Sequence, residues 1–209
     1  MSSHHIVRDE QEPALILHRL EAFSEPNLHS LLEWSPTVIG CEPAIEKYTS
    51  LGHKLDVALI SLAQIERYKS LLSDQVPIKL VAVHGNDFLM TGLTLLQKDN
   101  HRAVNVVTDV SCMPEVIQMC EQWVSRLDLA VFTKNQRILF VKSKTFKKWL
   151  SAGTELSIQA LSGFGIWNTR GIDEDLIDYK TDCHDLIKTT EGEVAISCDQ
   201  SPFLVIEQL

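Results

Sequence analysis

Long apolar runs are missing: no stretch approaches the roughly 20 apolar residues that a membrane-spanning helix needs. The first dozen residues are polar and end in acids, unlike a secretory signal, so a cytoplasmic protein is expected. An excess of positive charge is also absent. With 19 Lys and Arg against 28 Asp and Glu, the formal net charge is −9, which argues against a nucleic-acid groove or an anionic membrane surface as partner. The one basic cluster, Lys142, Lys144, Lys147 and Lys148, reads as a solvated face. Five cysteines, an odd number without any C-x-x-C, specify neither a disulfide framework nor a zinc knuckle. Cys112 and Cys120 are eight apart, a helical spacing that suggests one buried face. The eight histidines form no H-x-x-x-H pair, and His4 and His5 fall in the polar N-terminal tail, so no metal site is indicated. No Walker A loop, G-x-G-x-x-G or G-x-S-x-G elbow occurs.

What is present is 44 % hydrophobic residues in 209, enough for a sizeable core. In the first half, nearly continuous apolar runs at 14–20, 37–41, 56–61, 78–84 and 103–108 alternate with segments of helical period. Such runs belong to strands buried on both faces, hence to a mostly parallel sheet with helices above and below. Pro26 opens a helix over 27–34, and Pro43 opens another that ends at Gly52. Further helices are predicted over 62–72, 88–98 and 114–126, with Trp34 and Trp123 on packing stripes. After Arg126 the period changes. The runs 129–133 and 137–142 flank a Lys-Asn-Gln turn and read as a hairpin, followed by short strands at 155–161, 165–172, 193–198 and 203–207. The expected architecture is an α/β domain over 1–127 and an all-β, sandwich-like domain over 128–209.

Open parallel sheets bind ligands beyond the carboxyl ends of their strands, so chemistry is sought in the loops there. His84-Gly85-Asn86-Asp87 combines a permissive glycine, a carboxylate and an imidazole where a strand opens into a helix. Asn86 or Asp87 is equally a competent helix N-cap. Asp109, after the fifth strand, has the same two readings, and Ser111 is a candidate cap for the helix that follows. In the β half, Trp149 and Trp167 are each able to stack on a ligand ring or to pack in the core.

Val38-Ile39-Gly40-Cys41-Glu42-Pro43-Ala44, followed by Leu51-Gly52 and Asp56-Val57-Ala58-Leu59-Ile60, is similar to the C-D-G-A and L-x-x-G-x-x-P-D-V-I-I-G-D-x-D-S segments of the thiamine pyrophosphokinase family, which the order of elements also resembles. Asn86-Asp87-Phe88-Leu89-Met90-Thr91 resembles its N-D-x-T-K/D stretch. Gly153 to Ile158, Thr169-Arg170-Gly171-Ile172 and Thr190 to Ile196 resemble its G-x-x-V-S-I, T-x-G-L and last-hairpin segments. The resemblance covers about residues 14–207. It implies an α/β domain that binds ATP, a β domain that helps hold thiamine, Mg²⁺ held by acids against the phosphates, and active sites formed by a homodimer.

Three departures bear on that chemistry. Glu42 and Pro43 stand where the family has Asp and Gly; residues 60–64, Ile-Ser-Leu-Ala-Gln, contain no acid where it has G-D-x-D-S; and 108–114 lack the glycines, Arg and His of its G-x-x-G-x-R-x-D-H segment. The expected function is therefore that of a thiamine pyrophosphokinase-like protein without most of its metal and phosphate motifs, a non-catalytic or ligand-binding homodimer taking thiamine or a nucleotide. One alternative is an active enzyme using ATP and Mg²⁺, with Asp87, Glu42 and Asp109 as a relocated carboxylate set and Asp87 as the foremost metal ligand. His84, Asn86, Trp167 and Thr190 are the candidate ligand contacts. Another alternative is an interaction protein whose cleft is filled by Leu62, Phe88 and Met113.

Overall fold

The computed structural model describes residues 12–209, so His4 and His5 lie outside the described residues. The chain divides into two compact units, the first running to Lys134 and the second covering Asn135–Leu209.

In the first unit, β1 (Ala14–Leu17), β2 (Val38–Cys41), β3 (Val57–Ser61), β4 (Lys79–Val83), β5 (Ala103–Val107) and β6 (Asp128–Phe132) form a sheet in the order β6-β5-β1-β2-β3-β4. Every one of these pairings is parallel. All four residues of β1 are buried, because helices cover both sides of the sheet. Leu15 and Leu17 face a core built from α1 (Glu25–Leu32), α2 (Glu42–Ser50) and α3 (Ile65–Leu71), through Leu28, Ile45, Tyr48 and Tyr68. Ile16 faces α4 (Phe88–Lys98). A Cβ on Gly92 of α4 would lie 3.1 Å from the Ile16 Cδ1, so the glycine lets helix and sheet approach closely. α5 (Met113–Glu121) buries Val116 and Cys120.

Local chemistry explains most helix starts. Ser24 caps α1 by accepting from the Asn27 N–H at 3.3 Å, and Pro26 and Pro43 occupy first-turn positions where no N–H is needed. Gly52 at φ +82° follows α2. One strand has a further role and one expectation changes. β6, read from sequence as the first arm of a hairpin, also pairs in parallel with β5 as the sixth strand of the α/β sheet. Trp34 is 67 % exposed and not packed, because α1 ends at Leu32 and leaves it beyond the last turn.

The second unit holds β7 (Gln136–Val141), β8 (Thr145–Leu150), β9 (Thr154–Ala160), β10 (Gly165–Arg170), β11 (Tyr179–Thr181), β12 (Cys183–Lys188), β13 (Gly192–Cys198) and β14 (Phe203–Gln208). These form two antiparallel layers, β12-β9-β14-β7 and β11-β10-β13-β8. Their inward residues, among them Ile158, Trp167, Val194, Ile196 and Phe203, make one core. The basic cluster is not simply a solvated face: Lys147 is exposed, but the Lys148 ammonium reaches both carboxylate oxygens of the buried Glu207 at 2.7 and 2.9 Å, and Arg137 Nε bonds the same carboxylate at 2.9 Å.

Candidate functional site

The parallel sheet sets its loops at the carboxyl ends of the strands, and there they surround a cleft of about 360 Å³. Five of the six strands contribute. His18 and Arg19 follow β1, Glu42 and Pro43 follow β2, Ser61 ends β3, Asn86 follows β4 and Cys112 follows β5, while Phe88, Glu115, Val116 and Met119 of α4 and α5 complete the wall. The volume suits a small organic ligand.

The β1 exit is pinned. The His18 and Arg19 N–H groups both donate to the Val107 carbonyl, at 2.9 and 3.3 Å, and His18 Nδ1 lies 2.9 Å from the hydroxyl of buried Thr108. Burial, reinforced by the neighbouring Arg19 charge and only partly opposed by Asp109, lowers the His18 pKa to about 4. His18 is therefore neutral near pH 7, and with Nδ1 engaged only Nε2 remains for a ligand. Arg19 is half-buried; its Nε is buried and has no hydrogen-bond partner among the described residues.

Glu42 lines the cleft, as expected from sequence, but its carboxylate is engaged: Oε2 accepts the Ser61 N–H at 2.7 Å and so ties the start of α2 to the loop after β3. Asp109 is likewise engaged, with Oδ1 accepting the Ala22 N–H at 3.1 Å, and it does not line the cleft. Asp87 is exposed at the head of α4, makes no side-chain cap bond and is also outside the lining; its carbonyl accepts from the Thr91 N–H and hydroxyl. The three carboxylates thus do not converge, and only Glu42 is in the wall. Of the other candidates, Asn86 lines the cleft, whereas exposed His84 does not. Thr190 is exposed in the turn before β13. Trp167 is fully buried, with Nε1 donating to the Thr181 carbonyl at 2.9 Å and its ring edge-to-face with Phe203; it is a core residue and cannot stack on a ligand arriving from solvent. Trp149 is 66 % exposed, and its Nε1 donates to Glu191 at 3.0 Å. Cys112 sits in the 3-10 turn before α5 rather than on that helix with Cys120.

Sequence reasoning missed Arg19, Glu115 and Met119 in the wall. No motif marks them, and each is a single residue whose position only the fold defines. The side chains named as a plug behave otherwise: Phe88 is part of the wall, while Leu62 is 52 % exposed and neither it nor Met113 enters the lining.

The donor set does not suit Mg²⁺, which demands near-octahedral oxygen coordination and is usually held by carboxylates at substrate phosphates. Among the described residues, no group of three or more His, Cys, Asp or Glu is placed to hold a metal ion. The loop that would carry the family's acids ends β3 as Ser61 and continues Leu62-Ala63-Gln64. A second depression, of about 270 Å³ beside β12, is lined by Asp173, Glu174, His184 and Asp185. Two of its carboxylates are already committed, Asp173 to the Thr189 N–H and hydroxyl and Asp185 to the Ser157 hydroxyl.

No protein-family model matches the chain, and no curated protein matches it either. Solved structures do. Thiamin pyrophosphokinase from Bacillus subtilis superposes with a TM-score of 0.76 at 10 % identity, over 93 % of this chain and 97 % of that one. The chain has the thiamin pyrophosphokinase fold. The enzyme from Geobacillus thermodenitrificans gives a TM-score of 0.74 at 9 % identity, over 94 % and 96 % of the two chains. The yeast thiamin pyrophosphokinase gives 0.72 at 11 % identity, over 98 % and 88 %. The thiamin pyrophosphokinase fold therefore spans both units, at an identity low enough that the likeness extends to the fold and not to a site. Among the described residues, no helix is long and apolar enough to cross a membrane.

Proposed function

We propose that this chain is a ligand-binding protein built on the thiamin pyrophosphokinase fold, without Mg²⁺-dependent pyrophosphoryl transfer. The observation that carries the reading is the state of Glu42: the one expected carboxylate in the cleft wall is bonded to the Ser61 N–H of a loop that has no acid of its own. Pyrophosphoryl transfer rests largely on positioning and on neutralising phosphate charge, and a cleft without a metal set lacks the main device for doing so. The cleft itself is open and lined from five strand ends, which supports small-molecule binding over a vestigial role.

The test is AMP and thiamine diphosphate formation from ATP, Mg²⁺ and thiamine. No product above a protein-free control is expected. Product whose formation is lost in both Glu42→Gln and Asp87→Asn would instead establish the active-enzyme alternative. A homodimer in the cytoplasm is part of the proposal, following the family resemblance; light scattering should give twice 23.6 kDa, and a monomer mass would remove that element.

A further inference from the structure

Among the described residues, Arg19 is the sole cation in the cleft wall, which otherwise carries the carboxylates of Glu42 and Glu115 and the neutral ring of His18. Its backbone is fixed by the bond to Val107, so the side chain leaves from a rigid strand end. No carboxylate among the described residues pairs with it, although Arg67 and Arg137 elsewhere in the chain each have one. Its buried Nε has no acceptor among the described residues. A buried donor without a partner is costly, and in folded proteins such groups call for a specific explanation. A guanidinium presents a planar fork that matches a carboxylate or phosphate bidentately and keeps its charge at any physiological pH.

We propose that Arg19 anchors the anionic group of a small ligand directly, with no bridging metal ion. This rests on the reading of the strand-end cleft as a ligand site and names the chemistry of its occupant. Coordination of Mg²⁺ requires carboxylates that the cleft does not present, whereas the guanidinium requires only an oxyanion. Glu42 and Glu115 limit how much negative charge the wall tolerates. The occupant therefore carries one compact oxyanion, a phosphate monoester or a carboxylate, and not an extended polyphosphate. Glu115, exposed on α5, is free to face a cationic or hydrogen-bond-donating part of the same ligand.

The test is calorimetric titration of the full chain with inorganic phosphate, acetate and pyrophosphate, each in EDTA and again with Mg²⁺. Phosphate or acetate is expected to bind in EDTA, with Mg²⁺ changing the affinity less than twofold and pyrophosphate binding no tighter than phosphate. The phosphate and acetate arms tell which oxyanion is preferred. Arg19→Ala should weaken binding at least tenfold, and Arg19→Lys, which keeps a point charge but not the fork, should fall between. Circular dichroism checks that each variant folds; should the alanine variant not fold, the lysine variant carries the comparison. Binding that appears only with Mg²⁺, wild-type affinity in a folded Arg19 variant, or no binding of any probe to the wild type overturns the assignment. Mg²⁺-dependent binding without AMP formation would overturn the Arg19 assignment alone, whereas AMP formation would overturn the proposed function, so the two failures are distinguishable.

Discussion

The α/β unit and the β unit treat their polar side chains differently. In the β unit, interior polar groups are matched within the unit: Glu207 by Lys148 and Arg137, the Trp167 Nε1 by the Thr181 carbonyl, the Thr169 hydroxyl by the Leu176 N–H, and the nearly buried Lys188 by the Gly171 carbonyl. In the α/β unit, three buried polar atoms have no hydrogen-bond partner among the described residues, Arg19 Nε, His101 Nδ1 and Thr133 Oγ1, and of these Arg19 alone belongs to the cleft wall. Self-satisfied polar groups specify a packing arrangement, and unsatisfied ones at a concave surface point to a ligand. The difference locates the site more sharply than cavity size alone, since both units have depressions of a few hundred Å³.

The largest expected effect would break the comparison on the β side. Trp167→Ala removes a fully buried ring and its Nε1 bond to the Thr181 carbonyl, and should cost about 3–5 kcal/mol in urea denaturation. A loss under about 1 kcal/mol would mean that the ring is not core and could serve a ligand after all. Next comes His18. Its folded-state pKa of about 4 lies below the ordinary 6.5, so as pH falls the unfolded chain takes up the proton first. The His18 contribution to stability is complete above pH 6.5, declines from there to about pH 4, and is flat below. The total is on the order of 3 kcal/mol. A His18→Gln variant should show a shallower decline in that window; an unchanged slope would place the ring in contact with solvent. The smallest effect is Trp34→Ser, which should shift stability by less than about 0.5 kcal/mol because the ring is exposed beyond α1. A larger loss would show that Trp34 is covered in solution.

The α/β elements were legible because buried parallel strands write themselves as continuous apolar runs, and because Pro26, Pro43 and Gly52 punctuate the helices. The helix over 88–98 was read with the same bounds that the structure gives it. β8, β11 and β12 were missed because Lys, His and Asp interrupt them, side by side as Lys147-Lys148 in β8 and His184-Asp185 in β12, so that no apolar run or clean alternation marks them. The parallel pairing of β6 with β5 was not legible, since an apolar run beside a turn does not show which further strand it joins. Within the site, Glu42 and Asn86 were legible as polar residues at predicted strand ends. Arg19 was not, since a single arginine after an apolar run carries no pattern, and what distinguishes it is an unpartnered Nε at a position in the cleft wall.

The bond from the Ser61 N–H to Glu42 couples two loops of the cleft. An acid introduced at 62–64 would meet a Glu42 carboxylate of which one oxygen already holds the loop, so its effect depends on that bond as well as on the new side chain. Substitutions at Glu42 and at 62–64 are therefore expected to be non-additive, because wherever Glu42 is lost the loop's N–H has to find another acceptor.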